Sequence, residues 1–142
     1  MTSYAAHASV EVEATAEQVW SALTSPELVS QYMFGAEVVS DWKVGGPLVY
    51  RGEWEGAPFE DKGTILAIEP ARLLRATYFS PSTGLPDAPE NYATVTYELA
   101  EADGRTRLEV SQDGNASVEA ATVAEGNWAM TLAGLKAVVE AG

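Results

Sequence analysis

Aromatic side chains are the residues of this sequence best suited to hold a small molecule. Tyr50 and Trp54 lie in one segment that alternates like a strand, so they share a face. Tyr78 falls in the corresponding register of a later strand. Trp128 lies in an apolar helical stripe, and its indole N–H needs an acceptor, for which a ligand oxygen is one candidate. These residues predict either an aromatic ligand pocket with polar handles or an ordinary aromatic core.

Acid–base, nucleophilic and metal chemistry have little support in the sequence. His7 is the only histidine and there is no cysteine, so neither a zinc site nor a thiolate nucleophile is expected. The Gly-x-Ser-x-Gly, P-loop and Gly-x-Gly-x-x-Gly motifs are absent. Four carboxylates, Glu53, Glu55, Glu60 and Asp61, flank one predicted hairpin, which is typical of a solvated edge. An acid–base role requires an inward carboxylate with a raised pKa, and alternation places Glu53 outward.

The charge balance restricts the partners. Twenty-one acidic residues against eight basic ones give a formal net charge of -13. Such a surface repels nucleic acid and anionic membranes, because Lys and Arg supply most of the affinity for phosphate. No apolar run is long enough to span a bilayer, and residues 1–7 lack the basic and apolar regions of a secretory signal. We therefore expect no nucleic-acid partner, no membrane insertion and a cytoplasmic location.

The elements that must position these residues are two short helices, a series of strands and one long helix. Alternation over residues 9–14 predicts a strand, and Thr15 with Gln18 forms the capping box of the helix that follows. That helix stops before Pro26, which opens a second short helix running to Phe34. Alternating segments separated by turn residues then predict strands at residues 37–40, 48–55, 59–69, 72–79, 92–99 and 106–112.

One of the later strands leaves its orientation open. Val95, Tyr97 and Leu99 share one face, and Thr94 and Thr96 share the other. We expect the first set to face inward. If the strand is turned the other way, the two threonines face inward and the ring of Tyr97 is lost from the interior.

The long helix is predicted over residues 118–140, with Ser117 as its N-cap. One face of this helix is apolar and carries Trp128, Leu132, Leu135 and Val139. Strands joined by hairpins give an antiparallel sheet, which can bury one face. Because only one long helix is available to cover that face, we expect a cavity between the helix and the sheet.

Three segments, in this order, carry a resemblance to a known family. The first is Val-Trp-Ser-Ala-Leu-Thr-Ser-Pro-Glu-Leu at residues 19–28. The second combines Val-Gly-Gly-Pro at residues 44–47 with Gly-Thr-Ile-Leu-Ala-Ile-Glu-Pro and Arg-Leu within residues 63–73. The third is Gly-Asn-Trp at residues 126–128, leading to Leu132, Leu135 and Lys136. From about residue 9 to residue 140, the chain resembles the START-like (SRPBCC) superfamily. Within it, the chain is most similar to the branch related to the activator of the heat-shock-protein-90 ATPase.

The resemblance implies an α+β helix-grip fold. In that fold a curved antiparallel sheet of about six to seven strands wraps around a long C-terminal helix, here in one domain over residues 1–142. It implies that Trp128 faces the sheet. It also implies that Tyr32, Met33 and Phe34 border the mouth of the cavity, with Tyr32 and Met33 at the position of the family's usual Trp pair. The superfamily includes hydrophobe carriers, polyketide cyclases, resistance proteins and co-chaperone domains, so its fold does not define one function.

Three hypotheses follow for the function, and none of them needs a cofactor or a metal. The first, which the sequence favours, is a non-enzymatic binder of a small apolar or amphipathic molecule. Its predicted ligand-binding residues are Tyr32, Met33, Tyr50, Trp54, Leu66, Tyr78, Trp128 and Leu132. The second is a cyclase or hydrolase type of enzyme that uses Tyr50, Tyr78 or Glu125 as an inward acid, base or donor. The third is a co-chaperone-like interaction domain with a chaperone partner, by family analogy alone.

Overall fold

The elements follow the order that alternation and capping predict. The computed structural model describes residues 4–33, 35–54, 56–80 and 84–141; Phe34, Glu55 and the side chain of Trp54 lie outside this description. Its helices are α1 (Ala16–Thr24), α2 (Pro26–Tyr32) and α3 (Val118–Ala141). Its strands are β1 (Tyr4–Val12), β2 (Glu37–Ser40), β3 (Pro47–Trp54), β4 (Ala57–Glu69), β5 (Leu73–Tyr78), β6 (Ala93–Ala102) and β7 (Arg105–Asn115).

The strands form one seven-stranded antiparallel sheet in the order β1-β7-β6-β5-β4-β3-β2. From β2 to β7 each strand pairs with the next strand along the chain, and β1 returns to pair with β7. The long helix α3 and the two short helices lie against this sheet, so the predicted α+β helix-grip fold is confirmed.

Local capping fixes where the helices begin. The Thr15 hydroxyl accepts from the Gln18 backbone N–H at 3.3 Å, and the Gln18 side chain accepts from the Thr15 N–H at 2.9 Å. This reciprocal capping box is the predicted one. Ser25 ends α1 and precedes Pro26, the first residue of α2, although its side chain makes no capping bond. The Ser117 hydroxyl accepts from the Ala120 N–H at 3.1 Å and caps α3.

The buried core lies where α1, α2 and α3 meet the inner sheet face. Leu74, Leu108, Leu132 and Leu135 are among its fully buried side chains. Val95, Tyr97 and Leu99 of β6 are also buried in this core, as expected for the inward set of that strand.

The helix α3 lies along β1, at one end of the sheet, and supplies side chains to the outer edge of that strand. The carboxylate of Glu125 accepts from the His7 N–H at 3.0 Å, and that of Glu140 accepts from the Glu13 N–H at 2.9 Å. The ammonium of Lys136 donates to the Glu11 carbonyl at 2.7 Å. These bonds satisfy an edge that would otherwise be open to pairing. They also leave the inner faces of β3 to β5 away from α3.

The position of His7 corrects one expectation. The strand β1 begins at Tyr4 rather than near residue 9, so His7 lies within it instead of preceding it. Its side chain is exposed, and its backbone N–H is held by α3. This placement gives His7 no catalytic neighbour in the cavity.

Candidate functional site

A cavity of about 530 Å³ lies between the inner sheet face and the α2 and α3 helices. Its position follows from the offset of α3, which packs along β1 and leaves the middle of the sheet uncovered. Alanine, leucine, valine and aromatic side chains dominate the wall, with a few polar groups between them. Cavities of roughly 300–1,000 Å³ with this kind of wall hold drug-sized molecules.

Most of the residues predicted to bind a ligand lie in this wall. The structure brings together Tyr32 and Met33 from the end of α2, Tyr50 from β3, Tyr78 from β5 and Trp128 from α3. Residues that are distant in sequence therefore meet around one space. Their placement agrees with the geometry expected for a pocket, whereas a binding role for them remains a proposal.

The other three predicted residues are not part of the described wall. Leu132 is 1% exposed and lies in the solid core beneath the helix. Leu66 is 45% exposed and points away from the interior, because successive strand residues face opposite sides of the sheet and Ile65 takes the inward position. The backbone of Trp54 ends β3, but its side chain lies outside the described residues.

Tyrosine hydroxyl groups supply much of the polarity of the wall. The Tyr32 hydroxyl donates to the Ala22 carbonyl at 2.6 Å. Tyr97, which the predicted site omitted, is hydrogen-bonded to Tyr50 through its hydroxyl group.

Burial keeps these phenols protonated. It raises the pKa of Tyr50 to about 12, although the bond from Tyr97 offsets part of the shift. Burial is also the main reason that the pKa values of Tyr32, Tyr78 and Tyr97 lie well above the usual 10.0. At neutral pH these phenols are therefore uncharged and do not act as phenolate bases or nucleophiles.

Asp61 lies in the cavity wall, whereas the sequence interpretation placed it on a solvated edge. It lines the cavity, and its Oδ2 accepts from the Tyr78 hydroxyl at 2.8 Å. Tyr78 in turn accepts a hydrogen bond from Ser80, which lowers the pKa of Tyr78 and so opposes the effect of burial. The register of the β3–β4 hairpin is the feature that could have predicted this position. Trp54 pairs with Ala57, so Asp61 lies opposite Tyr50 and the two side chains share a face of the sheet.

Lys62, the cationic residue next to Asp61 in the sequence, forms an ion pair with Asp87. Lys62 also contributes to the wall, but its ammonium lies 2.5 Å from Asp87. The Tyr92 hydroxyl donates to the same carboxylate at 2.6 Å. The hydrogen bond to Lys62 is the largest cause of the lowered pKa of Asp87, followed by that from Tyr92. Within the described residues, Lys62 therefore pairs with Asp87, and no ion pair is formed by Asp61.

Trp128 is held by two protein contacts. Its indole N–H donates to Gln112 Oε1 at 2.8 Å, so a side chain of β7 is the acceptor, in place of the ligand oxygen considered above. Its ring meets that of Tyr97 edge to face, with centroids 5.8 Å apart and planes at 85°. Trp128 is therefore a rigid part of the wall with no donor left for a ligand.

Two other features bear on chemistry. The carboxylate of Glu125 bonds the backbone of β1 and is not in the cavity wall, so it is not the inward group that an enzyme would need. Within residues 4–33, 35–54, 56–80 and 84–141, no group of three or more His, Cys, Asp or Glu side chains is arranged to hold a metal ion.

In the same residues, no helix has the length and apolar content that crossing a membrane requires.

A sheet that grips a long C-terminal helix over a cavity defines a START-like domain. More narrowly, the chain belongs to the family of Activator of Hsp90 ATPase homolog 1-like proteins, whose sequence profile matches residues 13–140. The predicted resemblance is confirmed. This fold and family support a ligand-binding or cyclase-like domain in general terms and specify no ligand.

Solved structures share this fold. The solution structure of ChR145 from Cytophaga hutchinsonii is 43% identical, with a TM-score of 0.84, over 96% of this chain and 94% of that one. MLL2253 from Mesorhizobium loti is 21% identical, with a TM-score of 0.76, over 96% and 97% of the two chains. CalU16 from Micromonospora echinospora is 22% identical, with a TM-score of 0.72, over 98% and 87%. No functionally curated protein matches the sequence.

Proposed function

We propose that this domain binds one small apolar or amphipathic molecule in the cavity between the sheet and α3, and that it acts as a binder and not as an enzyme. The observation that carries the proposal is the space of about 530 Å³ behind a largely apolar wall. Burial of an apolar ligand there would contribute roughly 25 cal/mol for each Å² removed from water.

The rigidity of the wall supports this proposal. Tyr32 is bonded to the α1 backbone, Tyr97 to Tyr50, and Trp128 to Gln112. Side chains tied to their own neighbours do not easily rotate into the cavity and fill it. A wall that is already ordered lowers the entropy that a ligand must offset on binding.

A matched pair of variants on one helix tests the proposal. Ala124 lines the cavity, whereas Ala129 is exposed on the same helix, so Ala→Leu at these positions changes helix propensity equally. Native mass spectrometry and thermal shift against lipids, polyketides and aromatic metabolites should identify a ligand for the wild type and for Ala129→Leu. Ala124→Leu should bind it at least about tenfold more weakly, because three added carbon atoms occupy the site. No binding to the wild type, or equal binding by both variants, contradicts the proposal.

An enzyme of the cyclase or hydrolase type is the second candidate, and the Tyr78–Asp61 pair favours it. A carboxylate held in place by the Tyr78 hydroxyl could accept a proton from the substrate or from an attacking water during ring closure or hydrolysis. If this role is correct, Tyr78→Phe would lower kcat for the substrate while leaving KM nearly unchanged. A ligand recovered chemically unaltered after prolonged incubation with the wild type contradicts the enzyme and leaves the binder intact.

A co-chaperone role is the third candidate and rests on family membership. The apolar side chains of Val123 and Met130 are exposed on α3, and a contact with a chaperone could use them. A pulldown with the host's heat-shock-protein-90 homologue should then recover the complex, and Met130→Glu should abolish it. Recovery of nothing with the wild type contradicts this role.

A further inference from the structure

The charges in the cavity wall do not cancel. Asp61 is the carboxylate and Lys62 the ammonium among the described wall residues. The ammonium of Lys62 is paired with Asp87, whereas no cation in the described part of the chain pairs with Asp61. The interior of the site therefore has an excess of one negative charge, in a chain whose net charge is already -13.

Asp61 also has spare capacity to accept hydrogen bonds. Its described hydrogen bond is the one from Tyr78 to Oδ2, and a carboxylate has roughly four acceptor positions. A ligand that reaches Asp61 is therefore offered an acceptor.

The two faces of the ligand site differ in chemistry. On the helix side, Trp128 has its N–H bonded to Gln112 and presents an aromatic surface. On the sheet side, Asp61 faces the same space from β4, beside the neutral phenols of Tyr50 and Tyr78. A neutral phenol can bond an anion, but it does not balance the repulsion from a nearby carboxylate.

We propose that the cavity is selective for an amphipathic molecule with an amine or alcohol head group, whose N–H or O–H donates to Asp61, and that it rejects carboxylate head groups. This inference rests on the proposed binding function and specifies the ligand class for the same site. Asp61 is the residue that determines the specificity, and the apolar wall holds the tail.

A series with one tail and three head groups tests the inference. Decylamine and decanoate, below their critical micelle concentrations, and decanol, below its solubility limit, are titrated into the wild type, Asp61→Asn and Asp103→Asn, with calorimetry as the readout. Asp103 lies in the β6–β7 turn with a positive φ of 55°, which Asn tolerates well. Asp103→Asn is therefore the control variant, because it removes one negative charge at an exposed position outside the cavity.

In the wild type, the amine and the alcohol should each bind at least about tenfold more tightly than decanoate, the size expected for one hydrogen bond to a charged group. Asp61→Asn should weaken amine binding and strengthen decanoate binding, so that the preference is lost. Asp103→Asn should keep the wild-type order. If Asp61→Asn fails to fold, Asp61→Ser is the second variant that removes the carboxylate and should likewise lose the preference, whereas Tyr78→Phe, which retains the carboxylate, should still reject decanoate.

Different outcomes contradict different claims. If decanoate binds the wild type as tightly as decanol, or if the two Asp→Asn variants shift all affinities equally, the head-group selectivity is wrong while the binding function stands. If none of the three compounds binds, the proposed binding function itself is contradicted for ligands of this size.

Discussion

At the residue scale, the cavity wall combines apolar side chains with phenols whose hydroxyl groups are already oriented. Tyr97 and Tyr50 are hydrogen-bonded to each other, and Tyr78 donates to Asp61. Each hydroxyl is thus part of a directed hydrogen bond, while burial prevents its ionisation near neutral pH. These phenols can orient a ligand through hydrogen bonds without reacting with it.

Alkaline pH should destabilise the protein through these phenols. The pKa of Tyr50 rises from 10.0 to about 12 on folding, so its contribution is fully present below pH 10 and is lost as pH rises to about 12. The loss is about 2–3 kcal/mol for a two-unit shift. Urea unfolding between pH 8 and pH 11 should give a free energy of unfolding that falls with pH, and less steeply in Tyr50→Phe. Identical pH dependence in both proteins contradicts the assignment.

Features that depend on neighbouring residues could be predicted from the sequence, whereas features that depend on the pairing of distant segments could not. The capping box of Thr15 and Gln18 depends on residues three apart, so the sequence contains all of it. The inward position of Asp61 depends on the register of a hairpin, which moves by one residue if the turn is misplaced. The exposure of Leu66 depends on which face of β4 packs against the core, where Ile65 is buried instead. The acceptor of the Trp128 indole N–H is Gln112, which lies on a different element.

At the element scale, the contact between α2 and α3 sets one side of the cavity. Gly134 of α3 faces the backbone end of Tyr32, and a Cβ built on it would lie 3.1 Å from the Tyr32 Cβ. Tyr32 has little freedom to retreat, because its hydroxyl is bonded to Ala22. Gly126, earlier in the same helix, has nothing within 4 Å of the equivalent position.

Replacing these two glycines by alanine should have different effects. Gly126→Ala should raise the free energy of unfolding by about 1 kcal/mol, since alanine is the better helix former and meets open space. Gly134→Ala improves the helix propensity equally, but the added methyl group presses against Tyr32. The free energy of unfolding of Gly134→Ala should therefore be lower than that of Gly126→Ala by roughly 1 kcal/mol or more. Chemical denaturation of both variants measures the difference. Equal stabilisation would show that α2 does not pack closely against α3.

Gly63 of β4 lies directly against the backbone of Thr77 in β5, where no side chain fits. A Cβ on Gly63 would overlap the Thr77 carbonyl, where the Thr64 N–H also bonds the Thr77 hydroxyl at 2.8 Å. The obstacle is backbone, which cannot rotate away as a side chain would. Gly63→Ala should therefore destabilise the protein by at least about 2 kcal/mol, measured by thermal or urea unfolding. A variant as stable as the wild type contradicts this packing.

At the scale of the whole molecule, acidic self-repulsion opposes compaction. The chain has 21 acidic and eight basic residues, and its described ion pairs join partly exposed side chains. Such pairs contribute about 0–1 kcal/mol each, so they do not offset the repulsion. The excess charge lies on the same molecule as the unpaired Asp61, which strengthens the expected exclusion of anionic ligands.

Salt should consequently stabilise the protein. Raising NaCl from 20 mM to 500 mM shortens the screening length from roughly 20 Å to about 4 Å and weakens repulsion among the acidic residues. The midpoint of urea unfolding at pH 7 should move to higher urea in the higher salt. A midpoint that falls with added salt would show that the ion pairs outweigh the repulsion.

Binding inside the cavity is the central claim, and an NMR titration tests it most directly. The four tryptophan indole N–H signals are well suited as reporters, because Trp128 lines the cavity and its N–H is fixed on Gln112. Titration with decanol should shift the Trp128 signal most, and saturably, in the wild type and in Ala129→Leu, with little change in Ala124→Leu. A Trp128 signal that does not move while other signals do would place the ligand outside the cavity and contradict the account.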